Sequence, residues 1–129
     1  MTEPLSDDEL AFLQSMFDLA RAGDTALLEN VDAGLPVNLT NGSGDTLLIL
    51  AAYHTHPELV AGLVERGADH TRVNDRGQTA LAAAVFRQDE PIVRALLEAG
   101  ADPELGPKSA VEIARFFDLP AMLELLGRP

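Results

Sequence analysis

Gly34, Gly67 and Gly100 stand at equal intervals of 33 residues in this chain, and that spacing constrains the fold more than any other feature. Their surroundings recur too. Arg66-Gly67-Ala68-Asp69 answers to Ala99-Gly100-Ala101-Asp102, and Gly44-Asp45-Thr46-Leu47-Leu48 to Gly77-Gln78-Thr79-Ala80-Leu81. A fixed period of this size denotes supersecondary units stacked side by side, each too small to bury its own apolar face. Such an architecture points toward binding rather than chemistry.

At 129 residues the length suits one compact domain, expected over 1–129 with units at about 6–40, 41–73, 74–106 and 107–129. Hydrophobic content of 47% argues against disorder, and with aromatics at 5% the helices must pack mainly through Leu, Ala and Val. The absence of Cys removes disulfides and thiolate metal sites from consideration. A formal net charge of −12 repels phosphate backbones and anionic lipid. It predicts no nucleic-acid or membrane partner, a preference for a basic partner surface, and a monomer. The acidic start, Met1 to Glu9, has no apolar run and does not read as a signal peptide, which makes the cytoplasm the expected compartment. The basic residues are Arg except for Lys108; with abundant Ala and Leu, that usage suits a GC-rich bacterial genome.

Ser6 and Glu9 form a capping box ahead of Leu10, Leu13, Met16, Phe17 and Ala20 at helical spacing. They predict a helix from about Asp7 to Arg21, and a second over roughly Thr25 to Asp32, closed by Gly34 in the left-handed region. In the second unit Thr46 caps a helix to about His54. Pro57 starts the next, with Leu59, Val60, Leu63 and Val64 as its core face. In the third, Thr79 caps and Pro91 opens the second helix, whose Ile92, Val93, Leu96 and Leu97 repeat that set. The fourth is shortened by three residues: Ser109 takes the Thr role, Val111 and Ala114 are core, and Pro120 opens a helix with Met122, Leu123, Leu125 and Leu126.

The pattern resembles the ankyrin repeat. Gly44-x-Thr46-x-Leu48, Ala51-Ala52 and Gly67-Ala68-Asp69 match the family motif, as do Gly77-x-Thr79-x-Leu81, Ala83-Ala84, Leu96-Leu97 and Gly100-Ala101-Asp102. The first unit keeps Leu19-Ala20 and Val37-Asn38, so the resemblance runs over about residues 12 to 126. It implies an all-α solenoid of about four helix–turn–helix units with degenerate caps, and a non-catalytic protein-binding role. Leu47 and Ala80 replace the motif Pro, and Ile49 and Ala82 replace the motif His. Without the Thr–His network, apolar packing is expected to hold the interfaces, and polar faces on the end units are expected to stop growth.

Catalysis needs a nucleophile, acid or base held in a pocket; the chain has no Cys and no Gly-rich phosphate loop, and Gly42-Ser43-Gly44 is too short for one and is explained by the turn of a repeat. Neither an enzymatic role nor a resident cofactor is expected. His54 and His56 beside Tyr53 are the one ligand candidate, as a metal, haem or small-molecule carrier site. Two His in a loop fall short of a structural metal site, and an exposed, satisfied pair with His56 toward solvent is the expected state.

The aromatic residues carry more. At about 100° per residue, Tyr53 points roughly 150° away from its helix's core stripe of Leu48, Ala51 and Ala52. Phe86 follows 33 residues later, and Phe116 a further 30, in the same relation to Val111, Ala114 and Arg115. The ankyrin resemblance implies that this position faces a concave groove. Tyr53, His54, Phe86, Arg87 and Phe116 would then line a partner-binding surface, with Ser43, Asp45, Asp75, Arg76 and Gln78 at its outer edge. Phe117 is expected to brace the stack. A self-associating structural module is the remaining alternative.

Overall fold

A computed structural model describes residues 4–129; Met1, Thr2 and Glu3, part of the acidic start, lie outside the described residues. The fold is an all-α solenoid, with eight helices among the described residues: α1 Asp7–Ala22, α2 Ala26–Asp32, α3 Leu47–Tyr53, α4 Pro57–Glu65, α5 Ala80–Phe86, α6 Glu90–Glu98, α7 Ala110–Phe116 and α8 Pro120–Leu125. The odd-numbered helices stack on one another as one layer, and the even-numbered helices stack behind them as a second. The only extended pairing among the described residues is a single antiparallel bridge between Thr40 and Thr46.

Capping starts the first helix of each unit. The hydroxyls of Ser6, Thr46, Thr79 and Ser109 accept from the N–H groups of Glu9, Ile49, Ala82 and Glu112 at 3.1–3.2 Å. Thr46, Thr79 and Ser109 do so while buried, so each cap also satisfies a polar group that would otherwise be stranded. α6 begins one residue ahead of Pro91, because the Asp89 carboxylate accepts from Ile92 N–H at 3.2 Å and takes the cap position itself. Gly34, Gly67 and Gly100 all have positive φ, as the recurrent turn after each second helix requires.

The core is continuous from Met16 to Leu126. Leu59, Val60 and Leu63 of α4 and their repeats Ile92, Val93 and Leu96 of α6 are fully buried, as the spacing predicts. The ends differ from expectation. Leu10, assigned to the core face of α1, is 43% exposed, with Leu5 and Phe12 exposed beside it. Among the described residues no helix covers that part of α1, so its outer face mixes these apolar side chains with the exposed Asp8, Glu9 and Asp18 of the polar cap expected. Arg115, at the core stripe's position in the last first-layer helix, is exposed for the same reason.

Polar ties, absent from the sequence reading, also join the units. Asn74 Nδ2 donates to Asp45 Oδ1 at 2.8 Å, and Asp75 N–H donates to the Ser43 carbonyl at 3.0 Å. Asp69 N–H donates to Asn38 Oδ1 at 2.8 Å, and Arg66 makes a two-toothed contact with Asp32 at 2.8 and 3.0 Å. Apolar packing therefore shares the interfaces with these ties.

Candidate functional site

α3, α5 and α7 end on an aromatic residue at the same edge of the first layer: Tyr53, Phe86 and Phe116. Two residues later, Thr55, Gln88 and Asp118 each adopt a left-handed backbone, with φ of 64°, 56° and 52°. That conformation is unusual for residues other than Gly. Here it turns the chain sharply out of each first helix into the second. The repeated turn gives the three rings a common position. No composition signal announces it, since Thr, Gln and Asp share no preference for that region.

The rings form a row that crosses three units. Tyr53 and Phe86 lie parallel, 8° apart, with centroids 6.3 Å from one another. Phe86 meets Phe117 edge-on at 5.5 Å, and Phe117 meets Phe116 edge-on at 4.9 Å. His54 completes the row at the other end, 5.2 Å from Tyr53. Tyr53 is half-buried, Phe86 is 39% exposed and Phe116 is 80% exposed. Phe117, expected to brace the stack, is itself half exposed while joining Phe86 to Phe116. It is a member of the row. At this end Phe86, Phe116 and Phe117 wall a cleft of about 370 Å³ with Gln78, Pro107, Lys108, Glu112 and Ile113.

Two guanidinium groups sit on the Tyr53 ring, Arg87 at 5.3 Å and Arg76 at 5.5 Å from its centroid. This is cation–π distance, and it holds the ring face in a polar frame. Desolvation, followed by the charges of Arg21, His56 and Arg87, holds the His54 imidazole below its ordinary pKa; Asp45 opposes this. This favours the neutral form of His54 beside the row.

The turn-tip residues divide. Ser43, Asp75 and Arg76 are exposed, and Gln78 is half-buried against the cleft. Asp45 does not stand at the outer edge. It is 6% exposed, held by Asn74 and by Arg76 at 3.6 Å, and its backbone N–H donates to Asn41 Oδ1. Its carboxylate is spent on joining the second and third units. Asn41 and Asn74, 33 residues apart, each fold their side-chain oxygen back onto two backbone N–H groups of their own turn. That spacing was the signal available for this tie.

His56 is half-buried and has a partner in the preceding unit. Its Nε2 hydrogen-bonds the Arg21 carbonyl at 2.6 Å, and its ring fills the space beside Gly23, where a Cβ would strike it. Gly23 closes α1 at φ 72°, so it meets a conformational and a steric demand together. His56 therefore docks the second unit onto the first. The described residues contain no group of three or more His, Asp or Glu side chains placed to hold a metal ion. No helix among them is long and apolar enough to cross a membrane.

The family model for ankyrin repeats in three copies matches residues 16–106. An ankyrin repeat protein of Pseudomonas aeruginosa is 50% identical over 50 residues, which is 38% of this chain and 29% of that protein. The chain thus matches under a third of that relative's length.

Proposed function

This chain belongs to the ankyrin repeat family, and we propose that it is a non-catalytic adaptor or inhibitor that binds a protein partner along the aromatic row and the adjoining turn tips. Ankyrin repeats are in general protein–protein interaction modules. The observation that carries the reading is the row itself: four aromatic side chains continuous over three units, at the edge of a rigid layer, with Phe116 80% exposed. Exposed rings of this kind are costly to keep in water unless a partner covers them.

In this reading Tyr53, Phe86, Phe116 and Phe117 supply the anchors. His54, Arg76, Arg87, Ser43, Asp75 and Gln78 supply orientation, and Asp45 acts only through the turn it holds. The protein works as one unit over residues 1–129, as a monomer, in the cytoplasm.

The test is affinity capture from native cells with the wild-type protein, with Tyr53→Ala plus Phe86→Ala, and with Arg94→Ala on the far layer. Loss of the captured partner in the double variant alone, at unchanged helical circular dichroism, supports the groove. Equal capture by all three proteins overturns it. Unfolding of the double variant would make the rings part of the core and overturn it as well. A mass that rises with concentration on light scattering would favour self-association instead.

A further inference from the structure

The asparagines of the chain are Asn30, Asn38, Asn41 and Asn74, and the fold sets Asn41 apart from the others. The difference lies in the backbone nitrogen that follows each. Val31 is inside α2. Leu39 N–H donates to the Pro36 carbonyl at 3.1 Å, and Asp75 N–H donates to the Ser43 carbonyl at 3.0 Å. Gly42, which follows Asn41, is exposed, and its N–H makes no hydrogen bond among the described residues. Glycine also has no Cβ to shield that nitrogen. The carboxamides differ in the same direction. Nδ2 of Asn30 donates to the Ala26 carbonyl and Nδ2 of Asn74 to the buried Asp45, whereas Nδ2 of Asn41 is unbonded among the described residues, as is that of Asn38. Oδ1 of Asn41, in contrast, is held. It accepts from Ser43 N–H at 3.0 Å and from Asp45 N–H at 2.9 Å.

We propose that Asn41 is a modification site, at which the folded chain converts itself through a succinimide to aspartate and isoaspartate. Asparagine is a chemically labile residue, and the turn supplies the parts this reaction needs. The Gly42 amide nitrogen, its proton given to hydroxide, bonds to Cγ of Asn41. Negative charge builds on Oδ1, where the Ser43 and Asp45 N–H groups already point. The Cγ–Nδ2 bond then breaks, and the nitrogen takes a proton from water and leaves as ammonia. Water next adds to a carbonyl carbon of the succinimide and breaks that carbon's bond to the Gly42 nitrogen. Addition at Cγ leaves aspartate; addition at the main-chain carbonyl carbon leaves isoaspartate. Ammonia leaves and water enters, with no oxidant, reductant or enzyme. Asn74 has the same pair of N–H donors on its Oδ1, but its neighbouring nitrogen and its Nδ2 are both engaged across the unit boundary. The two products differ in consequence. Aspartate keeps an oxygen for the Ser43 and Asp45 N–H groups. Isoaspartate routes the main chain through Cγ, which breaks that arrangement and loosens the turn whose Ser43 carbonyl holds Asp75. The chemistry is independent of what the groove binds, although it alters the turn tip that carries Ser43.

The folded protein is incubated in mildly alkaline buffer beside the same chain in urea, until half of Asn41 in the urea sample has converted. Peptide mapping by mass spectrometry locates each change of amide to acid, and isoaspartyl carboxyl methyltransferase labels the isoaspartate. The expected result is conversion at Asn41 in the folded protein, faster at higher pH, with Asn30, Asn38 and Asn74 intact. Gly42→Ala should slow it by roughly tenfold, a barrier rise of about 1.4 kcal/mol. A Cβ at Gly42 would meet nothing within 4 Å, and Gly42 is not among the glycines with positive φ, so this variant should keep the fold. The isoaspartate form, separated by chromatography, should unfold at a lower urea concentration than Asn41→Asp. A fully intact Asn41 in the folded protein at that time overturns the proposal. So does equal conversion at any other asparagine, or an unchanged rate in Gly42→Ala. An isoaspartate form as stable as Asn41→Asp overturns the loosening of the turn.

Discussion

Asn74 donates from Nδ2 to the buried carboxylate of Asp45 at 2.8 Å, across the boundary between two repeat units. The same side chain accepts from Arg76 and Gln78 N–H groups through Oδ1, so one residue shapes its own turn and fastens it to the preceding one. Asn74→Ala should lower stability by about 1–3 kcal/mol, the cost of stranding buried polar groups. Asn74→Asp should cost more at neutral pH, where it opposes a second carboxylate to Asp45, and recover in mild acid. Urea unfolding at two pH values separates the cases; equal losses for both variants at both pH values would contradict the tie.

The period of 33 and the Thr caps made the helix pairs legible, because capping and apolar spacing are local and each unit repeats them. The aromatic register was legible for the same reason: Tyr53, Phe86 and Phe116 keep the period. Phe117 stands outside that period, so its half exposure and its place between Phe86 and Phe116 depend on how α7 ends, which no repeat of the pattern reports. The roles of Asp45 and His56 were hidden for a different reason. Each is decided by a partner in another unit, Asn74 in one case and the Arg21 carbonyl in the other. A carboxylate in a turn and a histidine in a loop carry the same local signature whether they face water or a neighbour.

Leu63 and Leu96 occupy equivalent places on α4 and α6, both fully buried. Truncation of either to Ala should cost about 2–5 kcal/mol. In so short a stack, that is a large share of total stability and could melt the whole domain. Thermal unfolding followed at 222 nm reads it. A loss below about 0.5 kcal/mol at both sites would be surface behaviour and would contradict the packing.

Gln88 holds a left-handed backbone at φ 56°, is exposed, and makes no side-chain hydrogen bond among the described residues. Relief of that strain, about 1–2 kcal/mol, exceeds the entropic cost of glycine, about 0.5–1 kcal/mol. Gln88→Gly should therefore gain a few tenths to about 1 kcal/mol in chemical denaturation. A clear loss would mean that the turn is not strained.

The Asp69 carboxylate accepts from the Thr71 hydroxyl at 2.6 Å, from Thr71 N–H at 2.9 Å and from Arg72 at 3.1 Å. These contacts, Thr71 first, lower its pKa from 3.8 to about 2. In that window the unfolded chain binds the extra proton, so stability falls as pH falls. The contribution is complete above about pH 4 and gone below about pH 2. Asp69→Asn should lose less stability than wild type between those limits, with the two converging at the acid end. Urea titrations at pH 5, 3 and 2 give the comparison, and parallel acid profiles for the two proteins would contradict it.

The parallel contact of Tyr53 with Phe86 raises the question of whether the row binds or merely braces. A double-mutant cycle to Ala measures the bracing directly, and a stacked pair should couple by about 0.5–1.5 kcal/mol. Phe116 supplies the contrast. At 80% exposure it has little to lose on truncation, so Phe116→Ala should shift stability by less than about 0.5 kcal/mol. The same change opens the wall of the cleft that Phe86 and Phe117 complete. A binding row therefore predicts unchanged unfolding and weakened affinity for the captured partner in Phe116→Ala. A bracing row predicts the reverse: a measurable stability loss with affinity intact. Titration calorimetry and thermal unfolding of that one variant decide between them.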